Sequence, residues 1–319
     1  MISGKYVLIS PCRDEAEYMC RTLDSVIAQS IKPVLWIIVD DGSTDQTPEI
    51  LDKYANKHSF IKIVRRENRG HRSVGPGVIE AFYAGYDNID IDDYEYICKL
   101  DLDLDLPPLY FEILMSRFQE NPRLGTCSGK PYFLNKKGKL ISEKCGDENS
   151  VGMTKMFRRN CFDQIGGFVR QVMWDAIDGH RCRMLGWIAS SWDELDLRFI
   201  HLRPMGSSQN NMKTGRIRHG FGQYFMGTSF IYMSVSALYR MSRPPIFYGG
   251  LSMWWGYVKS MLTRVERLND LAFRKFLRSY QWSCIIFGKN KATARLNEQR
   301  AQYWSPLEAG PYSIRSEIQ

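Results

Sequence analysis

No two of the eight cysteines, at 12, 20, 98, 127, 145, 161, 182 and 284, have the spacing of a zinc knuckle or a C-x-x-C redox pair. Scattered in this way they read as small core residues of a reducing compartment. The N-terminus, MISGKYVLIS, lacks a charged leader followed by a long apolar run. No signal peptide is therefore expected, and a cytoplasmic location is the expectation. Low-complexity tracts and internal repeats are absent, and 44% hydrophobic against 24% charged residues leaves enough apolar side chains for a sizeable core. Ser10–Glu15 holds no glycine, so the Gly-rich phosphate loop of a sugar nucleotidyltransferase is missing. Gly75-Pro76-Gly77 does not directly follow a strand pattern, which weighs against a dinucleotide fingerprint.

What the chain does have is an uneven charge. Residues 1–108 carry 19 acids and 12 bases, whereas residues 201–319 carry 5 and 17. Acids can hold a metal ion, and a basic segment attracts phosphates, nucleic acid or an anionic membrane. The divided balance predicts two jobs, and a soft boundary near residue 220 separates a domain over 1–220 from an aromatic, basic, helical extension over 221–319.

Apolar runs predict strands at Tyr6–Ser10, Val34–Val39, Ile61–Val64 and Tyr94–Leu100. Helical patterns fall between them, at 15–29, Thr47–His58 and 74–86, with another from Pro107-Pro108 to about Gln119. Further on, Gly166-Gly167 reads as a turn, 175–185 as a helix and Leu195–Leu202 as a strand. Strands alternating with helices predict an α/β fold, a mostly parallel sheet with helices on both faces. Ligands of such sheets sit at the carboxyl ends of the strands. Both acidic clusters, Asp40–Asp45 and Asp101–Asp105, fall there.

Asp101-Leu102-Asp103 would place two carboxylates on one side of an extended segment, a donor set suited to magnesium or manganese. A solvated acidic edge is the plainer alternative, but the intervening leucines ask for a core. Asp40-Asp41-Gly42-Ser43-Thr44-Asp45 alone fits a turn before a helix; its carboxylates also suit a pyrimidine imide or a ribose hydroxyl. Asp175, at the start of a predicted helix, reads either as a cap or as a general base. Trp174 beside it either stacks on a sugar ring or fills the core.

Taken in order, these segments resemble the family 2 glycosyltransferases of the GT-A fold. Ser10-Pro11-Cys12-Arg13-Asp14-Glu15 is similar to the family's P-x-x-N-E, with Asp14 for Asn, and Val39–Asp45 matches its V-D-D-G-S-T-D in full. Asn68-Arg69-Gly70 matches N-x-G, Lys99–Asp103 resembles the metal-binding D-x-D, and Gly166-Gly167-Phe168 resembles G-G-F. Trp174-Asp175 with Arg181 and Gly186 keeps the spacing of E-D…R…G, with Trp in place of Glu. The resemblance covers roughly residues 5–200. No clear Q-x-x-R-W follows, so the chain does not look like a processive synthase.

The resemblance implies an inverting transfer from a nucleotide-sugar donor to a carbohydrate or lipid-linked acceptor, with Mg2+ or Mn2+ as cofactor. Pro11, Arg13, Glu15, Asp40, Asp41, Lys99 and Asp101 would bind the nucleotide. Asp101 and Asp103 would hold the metal, with a late histidine, His201 or His219, joining them. Asp175 would be the catalytic base, and Trp174 and Asp178 would contact the acceptor. A basic run from Arg203 through Lys213, Arg216 and Arg218 could close over the diphosphate. A nucleic-acid-binding or membrane-linked scaffold is the rival reading, but it leaves the acidic clusters without a role, and no nucleic acid is expected as partner.

Residues 221–239 carry no charge, a length near the ~20 residues of a membrane span. Gln223, Thr228, Ser229, Ser234, Ser236 and two glycines make that segment too polar for one. Arg240, Arg243, Pro244-Pro245, the aromatics Phe247, Tyr248, Trp254, Trp255 and Tyr257, and the bases Lys259, Arg264, Arg267, Arg274, Lys275 and Arg278 follow. They suit peripheral contact with the inner face of a membrane, or a helical cap packed on the catalytic domain.

Overall fold

A computed structural model describes residues 4–71, 73, 75–135, 137–203, 212–243, 246–307 and 310–312, with residues 212 and 213 as backbone only. The expected basic residue Lys213, as a side chain, and the Pro244-Pro245 pair thus lie outside the described residues.

The first half alternates as its apolar pattern predicts. Strands β1 (Tyr6–Cys12), β2 (Leu35–Asp40), β3 (Ile61–Arg65) and β4 (Tyr96–Leu100) are separated by helices α1 (Met19–Ile27), α2 (Thr47–Lys57) and α3 (Pro76–Tyr86). A two-residue strand β5 (Leu104–Asp105), helix α4 (Tyr110–Glu120) and strands β6 (Leu124–Ser128), β7 (Lys130–Leu134), β8 (Leu140–Ser142) and β9 (Thr154–Arg158) follow. Then come α5 (Arg159–Gln164), α6 (Trp174–Met184), β10 (Ile188–Ser191) and β11 (Arg198–His201). The strand expected over Leu195–Leu202 is shorter, because Leu195–Leu197 forms a 3-10 turn that buries Leu197.

Seven strands form one sheet in the order β10-β6-β9-β4-β1-β2-β3. It is parallel except at β9, which runs against both β4 and β6. Alternation along the strands divides the core. Leu8, Trp36 and Ile38 face α1, α2 and α4, while Val7, Ile9, Ile37 and Val39 face α3, α5 and α6. A second sheet, β5-β11-β7-β8, stands beside the first. The parallel register of β1 with β2 and β4 brings Cys12, Asp40 and Leu100 to one edge.

The remainder is helical: α7 (Met212–Met226), α8 (Phe230–Met241), α9 (Tyr248–Leu262), α10 (Leu271–Phe287) and α11 (Lys289–Gln299). The boundary expected near residue 220 falls inside α7. The uncharged stretch 221–239 is broken at Gly227-Thr228-Ser229, where the Ser229 hydroxyl caps α8 by accepting from the Tyr232 amide at 3.2 Å. Among the described residues no helix is long and apolar enough to cross a membrane. Helices α7 and α9 touch backbone to backbone at two points: a Cβ on Gly220 would strike the Met253 carbonyl, and one on Gly256 the Ile217 carbonyl.

Candidate active site

The strand ends open into a cavity of about 620 Å³, lined among others by Pro11, Arg13, Glu15, Asp41, Lys99, Asp101, Asp103, Trp174, Asp175 and His201. That size suits a bound small molecule. Of the expected residues that are described, Asp40, Asp178 and Arg216 are not among its lining.

The loop after β1 is tied to the loop after β2. The Asp14 amide donates to Ser43 Oγ at 2.9 Å, and Asp14 Oδ1 accepts from the Thr44 amide at 2.7 Å. Arg13 donates to the Asp41 carbonyl at 2.9 Å and to Asn68 Oδ1 at 2.6 Å. Gly42, at φ +75°, lies so close to the Asn68 backbone that a side chain would not fit. Asp40 is a turn former here: buried, it accepts from the Ser43 amide at 2.9 Å. Its expected nucleotide contact is thereby corrected. Asp41 reaches the cavity, and its two oxygens take both bonds of Arg69, at 2.6 and 2.7 Å, with Arg66 at 2.8 Å. The middle residue of Asn68-Arg69-Gly70 thus holds the acid.

Beyond β4 the chain bends, so Asp101 and Asp103 do not share the face of a strand as their spacing suggested. The bend still turns both to the cavity. Lys99 pairs with Asp101 and donates to the Gly152 carbonyl at 3.1 Å. Burial and the neighbouring Asp103 raise the Asp101 carboxyl above its ordinary range, against the pull of Lys99.

The antiparallel pairing of β5 with β11 sets Leu202 against Asp103, its amide donating to the Asp103 carbonyl at 2.8 Å. His201 and Arg203, the residues either side, therefore reach the Asp103 carboxylate, at 3.4 and 2.8 Å. Arg203 also bonds both oxygens of Glu15 at 2.7 Å. Burial would raise the Asp103 carboxyl, but His201 and Arg203 hold it down at about 2. Burial works against a charged His201, yet its bonds to Asp103 and Glu143 push it up to about 9. Glu143, 3.1 Å from His201 Nδ1, had no signal in the sequence, because it comes from the loop after β8.

The two carboxylates are hard oxygen donors that fit Mg2+ or Mn2+, and the imidazole beside them is a borderline nitrogen donor better matched to Mn2+. Among the described residues no three such groups converge tightly enough to hold an ion in this arrangement; the two cationic side chains stand against Asp103 instead.

On the opposite wall Gly166 and Gly167, at φ +73° and +67°, turn the chain so that Phe168 packs under α6. Its amide donates to the Tyr83 hydroxyl at 2.7 Å. Asp175 stands in the first turn of α6, half-buried and facing the cavity. Trp174 touches the cavity but is only 8% exposed, its ring edge-on to Phe168 at 4.7 Å and below the ammonium groups of Lys99 and Lys155. It is mainly a packing residue, with little surface left for the expected acceptor contact. Asp178 is corrected outright. One helical turn on from Asp175, it is fully buried against Lys155, and burial lifts its carboxyl to about 6 despite that partner. Lys155 also donates to the Asp175 carbonyl, so the pair anchors the start of α6.

Helix α7 closes the cavity with Gly215, Arg218 and His219. Burial holds His219 down at about 4, neutral, with Gln223 at 3.4 Å. Of the two histidines expected for a metal, His201 is the one beside Asp103.

A family model described as glycosyl transferase family 2 matches residues 7–171. The chain is similar to poly-beta-1,6-N-acetyl-D-glucosamine synthase of Staphylococcus epidermidis, 32% identical over 129 residues, 39% of this chain and 28% of the relative. Thus the match spans little more than a quarter of that protein's length. Among solved structures it is similar to GalNAc-T7 with UDP, GalNAc and Mn2+, at TM-score 0.53 and 14% identity over 86% of this chain and 56% of that one. A mannosyltransferase of Pyrobaculum calidifontis in complex with GDP-Man and Mn2+ aligns at TM-score 0.49 and 16% identity, over 94% of this chain and 87% of the other.

Proposed function

The chain belongs to glycosyl transferase family 2 and is a glycosyltransferase of GT-A fold, and from that premise we propose an inverting transfer of a sugar from a nucleotide-diphosphate donor to a hydroxyl acceptor, in assembly of a polysaccharide or glycolipid. The observation that carries this reading is one cavity with Asp101, Asp103 and His201 on one wall and Asp175 on another. A divalent ion, Mg2+ or Mn2+, held by Asp101, Asp103 and His201 would neutralise charge gathering on the leaving diphosphate. Pro11, Arg13, Glu15, Asp41 and Lys99 line the nucleotide end.

Asp175 takes the proton of the acceptor hydroxyl. The freed oxygen bonds to the anomeric carbon on the face opposite the diphosphate, whose bond to that carbon breaks, and the configuration inverts. Arg203 and Arg218 line the cavity with charge opposite to the departing group. Lys155 holds the turn that carries Asp175.

Because the curated relative is named for poly-beta-1,6-N-acetyl-D-glucosamine, UDP-N-acetylglucosamine is the first donor to try, beside GDP-mannose and other common nucleotide sugars. Calorimetry with Mn2+ should show binding of one donor, slow donor hydrolysis should accompany it, and NMR of the transferred sugar should show the inverted anomer. No binding and no hydrolysis across the whole panel would refute the reading.

A further inference from the structure

Helices α8 and α9 pack antiparallel. Trp254 Nε1 donates to Ser234 Oγ at 3.2 Å, the Phe230 ring lies 6.3 Å from both Trp254 and Tyr257, and Gly250 abuts the Ala237 carbonyl and Met241. The contact rows are thus 230, 234, 237 and 241 on one helix and 250, 254, 257 and 261 on the other. An antiparallel pair of right-handed helices has a twofold axis perpendicular to the plane of the pair. Residues one place after each contact row therefore emerge on the same side. Those residues are Ile231, Val235 and Leu238 on α8 and Leu251, Trp255 and Leu262 on α9, each between 45% and 68% exposed. One continuous apolar face results, where scattered single residues would need no account.

The charge around that face has one sign. Residues 212–287 contain eleven bases and two acids, and none of the acids lies between 221 and 265. Arg243 stacks on Tyr239 at 4.5 Å, Lys259 lies one turn from both Trp255 and Leu262 on α9, and Arg264 follows the helix end. Exposed Ile246 and Phe247 extend the apolar surface at the start of α9. Apolar side chains with an aromatic among them, ringed by bases and free of acids, match the boundary of an anionic bilayer.

We infer that this face of the α8–α9 pair docks the protein on an anionic lipid surface, lying in the headgroup layer without crossing it. The inference does not depend on the sugar transfer proposed above, although α7, packed on α9, carries part of the cavity wall and would bring that wall near the lipid.

Co-sedimentation of the full chain with phosphatidylglycerol–phosphatidylcholine vesicles tests it, beside pure phosphatidylcholine vesicles. Most of the protein should pellet with the anionic vesicles at low salt, and the fraction should fall as salt rises. Leu238→Glu with Trp255→Glu changes only exposed side chains and should weaken binding about tenfold or more, with an unchanged far-UV circular dichroism spectrum and thermal midpoint. Arg243→Gln, Lys259→Gln and Arg264→Gln together should weaken it on the order of a hundredfold and flatten the salt dependence. Equal recovery in the supernatant with both vesicle types overturns the inference. So does a concentration-dependent dimer in sedimentation velocity that the glutamate variant abolishes, because the face would then belong to a second copy.

Discussion

The strand-end edge and the helical layer solve opposite problems with opposite residues. At the edge, acids converge on a concavity and each is held by a named cation: Asp41 by Arg69, Asp103 by Arg203 and His201, Asp101 by Lys99. In the layer, bases and exposed apolar side chains spread over the outer side of a pair of helices. Parallel strands fix where their last residues emerge to within a residue, so a short motif can specify a site there. A helix fixes only which face looks out, so what the layer specifies is a composition repeated every three or four positions.

The sharpest way to break this contrast is at Asp175. Asp175→Asn should lower turnover by about 10²–10⁴-fold with donor affinity nearly unchanged, as read from acceptor-dependent kinetics beside calorimetry. Retained turnover would move the base elsewhere in the cavity. Next is the anchor behind it. Lys155→Met strands a buried carboxylate and should cost about 3–5 kcal/mol in urea unfolding, whereas Lys155→Met with Asp178→Leu should recover most of the loss. Equal loss in the single and double variants would mean that the pair is not the source. Within the helical layer, Met253→Ala, in the small core between α7 and α9, should cost about 2–3 kcal/mol.

A smaller effect follows from His201. Its imidazolium, raised to about 9, stabilises the metal-free fold fully below pH 6.5, its ordinary value, and that contribution is lost as pH rises through 9. A metal at the proposed site must displace that proton. Mn2+ affinity should therefore climb about tenfold per pH unit between 7 and 9, and His201→Asn should flatten the climb. The smallest effect is Trp255→Gln on the exposed face of α8 and α9, within about 0.5 kcal/mol in the absence of lipid. A loss as large as that of Met253→Ala would show that the face is covered.

The four parallel strands were legible because each is a short apolar run closed by polar or turn-forming residues, and Asp41, Asp101, Asp103, Asp175 and His201 do face one cavity. The burial of Asp178 and of most of Trp174 was not legible for one reason: the side chains that cover them, Lys155 and Phe168, come from other segments of the chain. Glu143 and Lys155 were invisible because each meets its partner across more than twenty residues of chain, one from the loop after β8 and one from β9, whose placement no local pattern announces. The carboxylates of the Asp101–Asp103 pair meet the cavity through a bend that a strand reading does not contain. In the helical half, the break at Gly227-Thr228-Ser229 was signalled by the same polar residues that spoke against a membrane span.

At Gly220 and Gly256 the crossing of α7 and α9 has no cushion of side chains. Close packing passes strain on, and these contacts join the helix that carries Arg218 and His219 to the helix that carries Trp255. A push against the outer surface should then shift the inner wall. A wedge at Gly256, even a single methyl group, should change what fits beside Asp175 from a position that never touches the cavity.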